Sequence, residues 1–101
     1  MATKLMQFKL GNIVATPGAL AALETNNQTP MEFIAKHAAC NWGNALCDED
    51  KAMNDLALKD GSRIMSSYFL KDESKLWIIT EAAMDDEGNR SATTLLLPDE
   101  Y

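Results

Sequence analysis

Residues 62–98 read SRIMSSYFLKDESKLWIITEAAMDDEGNRSATTLLLP, and this stretch decides the fold. Apolar and polar side chains alternate here with a period of two, which is typical of β-strands. Turn-forming residues interrupt the alternation at 72–74 and again at 85–89, where a glycine can adopt positive φ. Consecutive strands joined by short loops form an antiparallel meander. We therefore predict three antiparallel strands, at 63–70, 75–83 and 90–97.

The alternation also assigns side chains to the two faces of the predicted sheet. In the first strand Ile64, Ser66, Tyr68 and Leu70 share one face, and Met65, Ser67 and Phe69 share the other. In the second strand Leu76, Ile78 and Thr80 oppose Trp77, Ile79 and Glu81. Both faces are largely apolar, so we expect one to pack on helices. The candidates for covering the other are the N-terminal strand, the C-terminal tail and a second subunit, which would form a homodimer through the sheet.

The residues before the meander predict three short helices. Thr16-Pro17 and Thr29-Pro30 each place an N-cap threonine before a proline at the first helical position. Glu32 completes a capping-box pattern with the second threonine. The predicted helices cover 18–25, 30 to about 41–44, and the region from caps near Asp48 to the stop at Asp60-Gly61.

Length and composition complete the prediction of the fold class. The chain has 101 residues, of which 47% are hydrophobic, enough for one core and too few for two. Residues 4–15 are apolar, partly β-branched and interrupted near Gly11, which favours a strand or an extended arm. We predict one α+β domain over residues 1–101: this N-terminal strand or arm, then three helices, then the three-stranded antiparallel β-meander, which the N-terminal strand could join.

The charge balance restricts the classes of partner. Nine Lys and Arg face fifteen Asp and Glu, for a net charge of −6, which argues against direct nucleic-acid binding by charge. No apolar run approaches the roughly 20 residues of a membrane helix. The N-terminus lacks the pattern of a secretory signal, so we expect a cytoplasmic protein without a membrane partner.

The acidic residues concentrate in the second half of the chain. Residues 1–47 carry a net charge of +1 and residues 48–101 a net charge of −7. Acids at 48–50, 85–87 and 99–100 fit a helix start, a turn and a solvated tail. The alternative is an acidic face for a basic partner, with Asp48, Glu49 and Asp50 as binding residues.

Two cysteines and one histidine are too few ligands for a closed zinc site. Cys40 and Cys47 do not form a CxxC pair, and a zinc site would need further ligands. We predict reduced cysteines that serve in packing, with no metal and no cofactor.

His37 is the candidate proton-transfer group, because its imidazole titrates near neutral pH. A catalytic interpretation makes His37 the general base of phosphodiester cleavage, with Arg63 binding phosphate and Ser66, Ser67 or Thr93 orienting the ribose. The structural interpretation places a protonated His37 at the C-terminal end of the second helix, where the helix dipole favours positive charge. The chain has no second histidine to protonate a leaving group.

Trp42, followed by Gly43, is a candidate binding residue. Its indole could provide a stacking platform, or it could fill the core while the glycine allows a close turn. Arg63 and Arg90, with hydroxyl side chains of the strands, could gather on one sheet face. The hydroxyls alone are ordinary cross-strand pairs.

Several stretches of the chain carry a resemblance to a known family. They are IVATPGA (13–19), MEFIAKH (31–37), NWG (41–43), RIMSSY (63–68), LWIITE (76–81) and TTLLLPDEY (93–101). Together they resemble a family of small, uncharacterised proteins encoded by plasmids, phages and genomic islands, some of them labelled plasmid-related protein or restriction-system subunit. The family often has Asp-Trp-Gly where this chain has Asn41-Trp42-Gly43, and a tighter turn in place of residues 84–89.

This resemblance implies a mobile-element setting. We therefore expect a non-enzymatic protein-interaction, anti-defence or regulatory module that binds a host or element-encoded protein, one version being a mimic of nucleic-acid charge. The alternative function rests on a similarity in the order of helices and strands. Helices followed by a meander, with a helix histidine, are similar to the barnase–RelE group of ribonuclease toxins, which would use His37 and Arg63.

Overall fold

A computed structural model of the chain describes residues 8–101. Three helices lie between the first strand and the other three in chain order. A short 3-10 helix, Pro98–Glu100, follows the last strand. The elements are β1 (Asn12–Ala15), α1 (Pro17–Thr25), α2 (Pro30–Ala38), α3 (Asp48–Asp60), β2 (Ile64–Phe69), β3 (Lys75–Thr80) and β4 (Ala92–Leu96).

The sheet has four strands in the order β1-β4-β3-β2 and is mixed. β2, β3 and β4 pair antiparallel, whereas β1 pairs parallel with β4, Ile13 opposite Thr93. The fold class is therefore α+β with three helices, but the predicted antiparallel meander is only part of a four-stranded mixed sheet, which the N-terminal strand completes. β1 and β4 are about eighty residues apart in sequence, and parallel pairing of this kind leaves no signal in the local pattern.

The strands are shorter than predicted. The β3–β4 ladder becomes irregular beyond Thr80 and returns as one isolated bridge between Ala83 and Arg90. The guanidinium of Arg90 donates to the Glu81 carbonyl oxygen at 2.9 Å, so a side chain takes a backbone acceptor at the end of the ladder. The turns lie where the sequence predicts them, with Glu73 and Gly88 at positive φ.

The predicted helix caps are partly confirmed. The hydroxyl of Thr16 accepts the Ala19 N–H at 3.0 Å, and that of Thr29 accepts the Glu32 N–H at 3.4 Å. The Glu32 carboxylate accepts from the Gln28 amide at 3.1 Å. α2 ends at Ala38, earlier than predicted, because Cys40 adopts a φ of 66°.

α3 begins and ends close to the predicted residues. Its N-cap is Cys47, which makes no side-chain cap hydrogen bond, and Asp48 is its first helical residue rather than the cap. Gly61 adopts the left-handed conformation with φ 80° and ends the helix as predicted. None of the helices within residues 8–101 is long and apolar enough to cross a membrane.

The two faces of the sheet differ in their cover. The inner face packs on α1 and α2 and carries Ile64, Ser66, Tyr68, Leu76, Ile78, Thr80, Thr93 and Leu95. The outer face carries Met65, Ser67, Phe69, Lys75, Trp77, Ile79, Thr94, Leu96 and Val14. The alternation read from the sequence therefore assigns the faces of β2 and β3 correctly.

The free edge of β2 is covered by the chain itself. The Asn54 side chain donates to the Met65 carbonyl at 2.6 Å and accepts the Met65 N–H at 3.1 Å. Ser67 N–H donates to the Trp42 carbonyl, and Phe69 N–H to the Asn44 side chain. Every second residue of this edge is thus bonded, which blocks further strand pairing there.

Gly43 and Gly88 provide a matched test of this edge cover, because both adopt positive φ. A Cβ on Gly43 would overlap the Ser67 carbonyl, whereas a Cβ on Gly88 would meet nothing within 4 Å. Gly88→Ala should cost about 1–2 kcal/mol from backbone strain. Gly43→Ala should cost at least about 2 kcal/mol more, because the clash also separates the 41–45 loop from β2. Urea unfolding of both variants measures the difference, and equal losses would contradict the edge cover.

Candidate functional site

His37 lies at the centre of a buried hydrogen-bond chain that spans the inner face. Its side chain is 0% exposed. Nδ1 lies 2.5 Å from Ser66 Oγ on β2, and Nε2 lies 2.8 Å from Thr80 Oγ1 on β3. Thr80 Oγ1 lies 2.8 Å from Thr93 Oγ1 on β4, which donates to the Leu10 carbonyl at 2.7 Å. One imidazole therefore links α2 to three strands.

The order of these hydrogen bonds fixes the protonation state of the imidazole. Each hydroxyl has one proton to donate. Thr93 gives its proton to the Leu10 carbonyl, so Thr80 must donate to Thr93 and accept from His37. Nε2 therefore carries the ring proton, and Nδ1 accepts from the Ser66 hydroxyl. A neutral imidazole protonated at Nε2 therefore satisfies every hydrogen bond in this series.

Aromatic rings surround the imidazole. The Phe8 ring centroid lies 5.2 Å and the Trp42 ring centroid 5.9 Å from that of His37, both in edge-on orientation. Burial, together with the positive charge of Arg90, lowers the pKa of His37 to about 4. The prediction of a protonated His37 at the helix C-terminus is therefore wrong, because an apolar site disfavours the charged form.

The structure brings together three of the five residues of the catalytic interpretation. Ser67 is not among them, because it lies opposite Trp77 on the outer face. Ser66 and Thr93 join His37 in the hydrogen-bond chain, and both are 0% exposed. Arg63 lies elsewhere: it is exposed, and its guanidinium carbon lies 5.6 Å from the Tyr101 ring centroid. Tyr101 in turn contacts Trp77 of the outer face, at 5.8 Å between ring centroids. Imidazole and guanidinium are thus on opposite faces of the sheet and do not share a cleft.

Arg90 is a buried cation, and the sequence pattern did not indicate its burial. It is 6% exposed and donates to the carbonyls of Ser62, Glu81 and Ala57 at 2.8, 2.9 and 3.3 Å. The Ala57 carbonyl belongs to the last turn of α3, where the helix dipole favours a cation. Arg63 and Arg90 therefore do not gather on one face.

Trp42 is buried rather than offered as a stacking platform. Its side chain is 5% exposed, and its indole N–H donates to Asp55 Oδ1 at 3.1 Å. It packs with Leu46, Ala57 and Ile64 beneath α3. Trp42 thus fills the core, and Gly43 allows the close turn.

The acidic residues divide between the two ends of α3. Asp48, Glu49 and Asp50 are exposed in its first turn. At its other end, about 18 Å away at 1.5 Å per residue, Asp60 and 85–87 line a groove of about 520 Å³ with Arg90 at its wall. These acids thus form two separate clusters, and Glu100 of the third predicted cluster lies apart from both, beside Thr16.

Within residues 8–101, Cys40 and Cys47 are both thiols and are not joined in a disulfide. Cys40 is half-buried in the turn after α2, whereas Cys47 is exposed at the start of α3 and does not serve in packing. Within residues 8–101, no group of three or more His, Cys, Asp or Glu side chains is arranged to hold a metal ion.

The outer face exposes the residue types that dominate protein interfaces. Phe69 is 42% and Tyr101 68% exposed, and Trp77 and Met65 are half-buried between them. Cations flank the rings, with Lys75 Nζ 5.8 Å from the Phe69 centroid and Arg63 over Tyr101. Aromatic residues, methionine and arginine are enriched at interfaces. The sequence predicted an apolar second face and left its cover open.

Comparison of the chain with protein-family models, with curated proteins and with solved structures finds no match. The resemblance to plasmid- and phage-encoded proteins therefore stays a prediction.

The hydrogen-bond chain predicts a pH-dependent stability. The unfolded imidazole takes up a proton near pH 6.5 and the folded one near pH 4. Between these values the unfolded state binds more protons, so stability is fully present above pH 6.5 and is lost as the pH falls. Between pH 7 and 5 the loss should be about 2 kcal/mol, measured from urea unfolding.

His37→Gln is the control for this experiment, because His37 is the only histidine of the chain. An amide can donate to Thr80 and accept from Ser66 without titrating. The variant should keep a flat stability profile between pH 7 and 5, whatever its absolute stability. An equal slope in both proteins would contradict a buried neutral imidazole.

Proposed function

We propose that this protein is a non-enzymatic interaction module of a mobile genetic element, which binds a host or element-encoded protein through the outer face of its sheet. The observation that carries the proposal is the aromatic surface formed by Phe69, Trp77 and Tyr101 with Met65. Its centre lacks charge, and Arg63 and Lys75 lie at its margin. Regulation or inhibition of a defence protein would be the biological role.

The register explains why these side chains form one continuous surface. Trp77 lies opposite Ser67 on β2 and Leu96 on β4, so the indole is in the middle of the sheet. Phe69 lies opposite Lys75 two pairs further along, on the same face of the sheet. The Tyr101 ring packs against Trp77 from the tail that follows the 3-10 helix. A partner would bury these rings against an already ordered sheet, which keeps the entropic cost of binding low.

The interior of the protein also supports this proposal, because His37 lies where a substrate does not reach it. The groups suited to proton transfer are inaccessible, and their hydrogen bonds are satisfied by one another. A general base must reach a substrate proton within hydrogen-bonding distance, and His37 is enclosed by Phe8, Trp42 and the inner face. We therefore assign the hydrogen-bond chain to stability and the surface to function.

Phe69→Glu tests the proposed surface. Phe69 is on the solvent side and lies opposite Lys75, so a carboxylate is tolerated there and the thermal midpoint should change little. Affinity for the partner should fall thirtyfold or more, the effect of about 2 kcal/mol typical of an aromatic hot spot. Quantitative capture from the host with wild-type and variant baits measures this loss.

Met84→Glu is the matched control, since Met84 is 65% exposed on the hairpin loop, away from the outer face. Proteins retained by wild type and Met84→Glu but lost by Phe69→Glu would be specific partners. If both variants retain the same proteins, the outer face is not the binding surface.

The ribonuclease alternative is tested by Arg63→Ala. Arg63 is exposed, so its replacement should leave the fold intact, unlike replacement of His37. Because His37 and Arg63 lie on opposite faces, we expect neither wild type nor variant to cleave RNA in vitro or to arrest growth on expression. Cleavage by wild type that is lost in Arg63→Ala would overturn the interaction proposal.

A further inference from the structure

The outward backbone groups are hydrogen-bonded at one edge of the sheet, β2, but not at the other, β1, within residues 8–101. β2 has its outward backbone groups bonded by Asn54, Asn44 and the 41–45 loop. On β1, Asn12 and Thr16 N–H donate to the Ser91 and Leu95 carbonyls of the β4 side. Parallel pairing alternates, so the N–H and C=O groups of Ile13 and Ala15 point away from β4. Among residues 8–101 these outward groups have no partner.

The outward edge of β1 also lacks the features that prevent strand pairing. Exposed edges are commonly protected by charge, proline or a bulge, and β1 has none of them between Asn12 and Ala15. Ile13 is 47% exposed on the inner-face side and Val14 is 49% exposed on the outer-face side.

The chain segment that forms this edge is uncharged as well, although the Glu100 carboxylate lies beside Thr16. Residues 10–23 contain no Asp, Glu, Lys or Arg, the longest such run in a chain that is 24% charged. Leu20, within this run, is 47% exposed. In a protein of net charge −6, an edge with so few charged side chains beside it limits the repulsion between two copies.

We infer that two copies of this chain associate through β1, antiparallel about a two-fold axis at Val14. Ile13 then pairs with Ala15 of the second copy and Ala15 with its Ile13, which uses all four outward groups of each strand. The pairing sets the large Ile13 side chain against a small one. Pro17 lacks an N–H and ends the pairing at one side.

The polar ends of the strand are complementary in this register. Asn12 lies opposite Thr16 of the second copy, on the outer-face side. The Thr16 hydroxyl donates to the Glu100 carboxylate at 2.5 Å, which holds an acceptor group at that position. The side-chain amide of Asn12 can donate an N–H to this carboxylate. Other registers either place Pro17 opposite an outward group or lose this match.

Analytical ultracentrifugation of the full chain without any partner tests the inference, so its outcome is independent of the proposed function. Wild type should change from 11.1 kDa toward twice that mass as its concentration rises. Val14→Lys places two positive charges together at the axis and should remain monomeric at concentrations where wild type is dimeric. Met53→Lys, at a 63% exposed position on α3, should dimerise as wild type does.

The register is tested by charge complementation. Val14→Lys and Val14→Glu should each be monomeric alone, and an equimolar mixture should recover the dimer, because opposite charges then meet at the axis. Unchanged circular dichroism confirms that both variants fold. A wild type that stays at 11.1 kDa, variants that dimerise alone, or a mixture that stays monomeric would overturn the inference.

Discussion

The hydrogen-bond chain from Ser66 through His37 to Thr80 and Thr93 is the constraint on which the rest of the structure depends. It joins a helix to three strands by contacts that allow only one proton arrangement. A buried polar group without a partner costs about 1–3 kcal/mol. A shift of any strand by one residue would therefore expose these hydroxyls on the wrong face and leave the imidazole unpaired. These hydrogen bonds thus fix the pairing register of β2, β3 and β4, and with it the side chains on each face of the sheet.

That constraint also determines where function can reside. An imidazole that must stay neutral to satisfy its neighbours cannot exchange a proton with a substrate without breaking the interior. Arg90 adds to this separation, because its charge is balanced by backbone carbonyls at the end of α3. His37 and Arg90 therefore contribute to the stability of the fold. What the surface of residues 8–101 offers instead is aromatic area and the outward edge of β1.

Local patterns in the sequence were sufficient for the threonine caps of α1 and α2, the turns and the faces of β2 and β3. The position of Thr80 between Ile78 and the next turn already indicated a hydroxyl on an apolar face, which needs a buried partner. Its partnership with His37 could not be predicted, since it requires the packing of α2. The pairing of β1 with β4 and the burial of Arg90 depend on contacts across most of the chain, and no periodicity encodes them.

The two proposed surfaces meet different requirements and do not exclude each other. Val14 belongs to the edge that would form the two-fold seam, whereas Phe69 lies on β2 at the opposite edge. Three strand spacings of about 4.8 Å separate these edges, roughly 14 Å. A dimer through β1 would therefore leave the aromatic surface of each copy accessible, on one continuous sheet. Two such surfaces related by a two-fold axis would favour a partner that is itself dimeric, because both contacts could then form together.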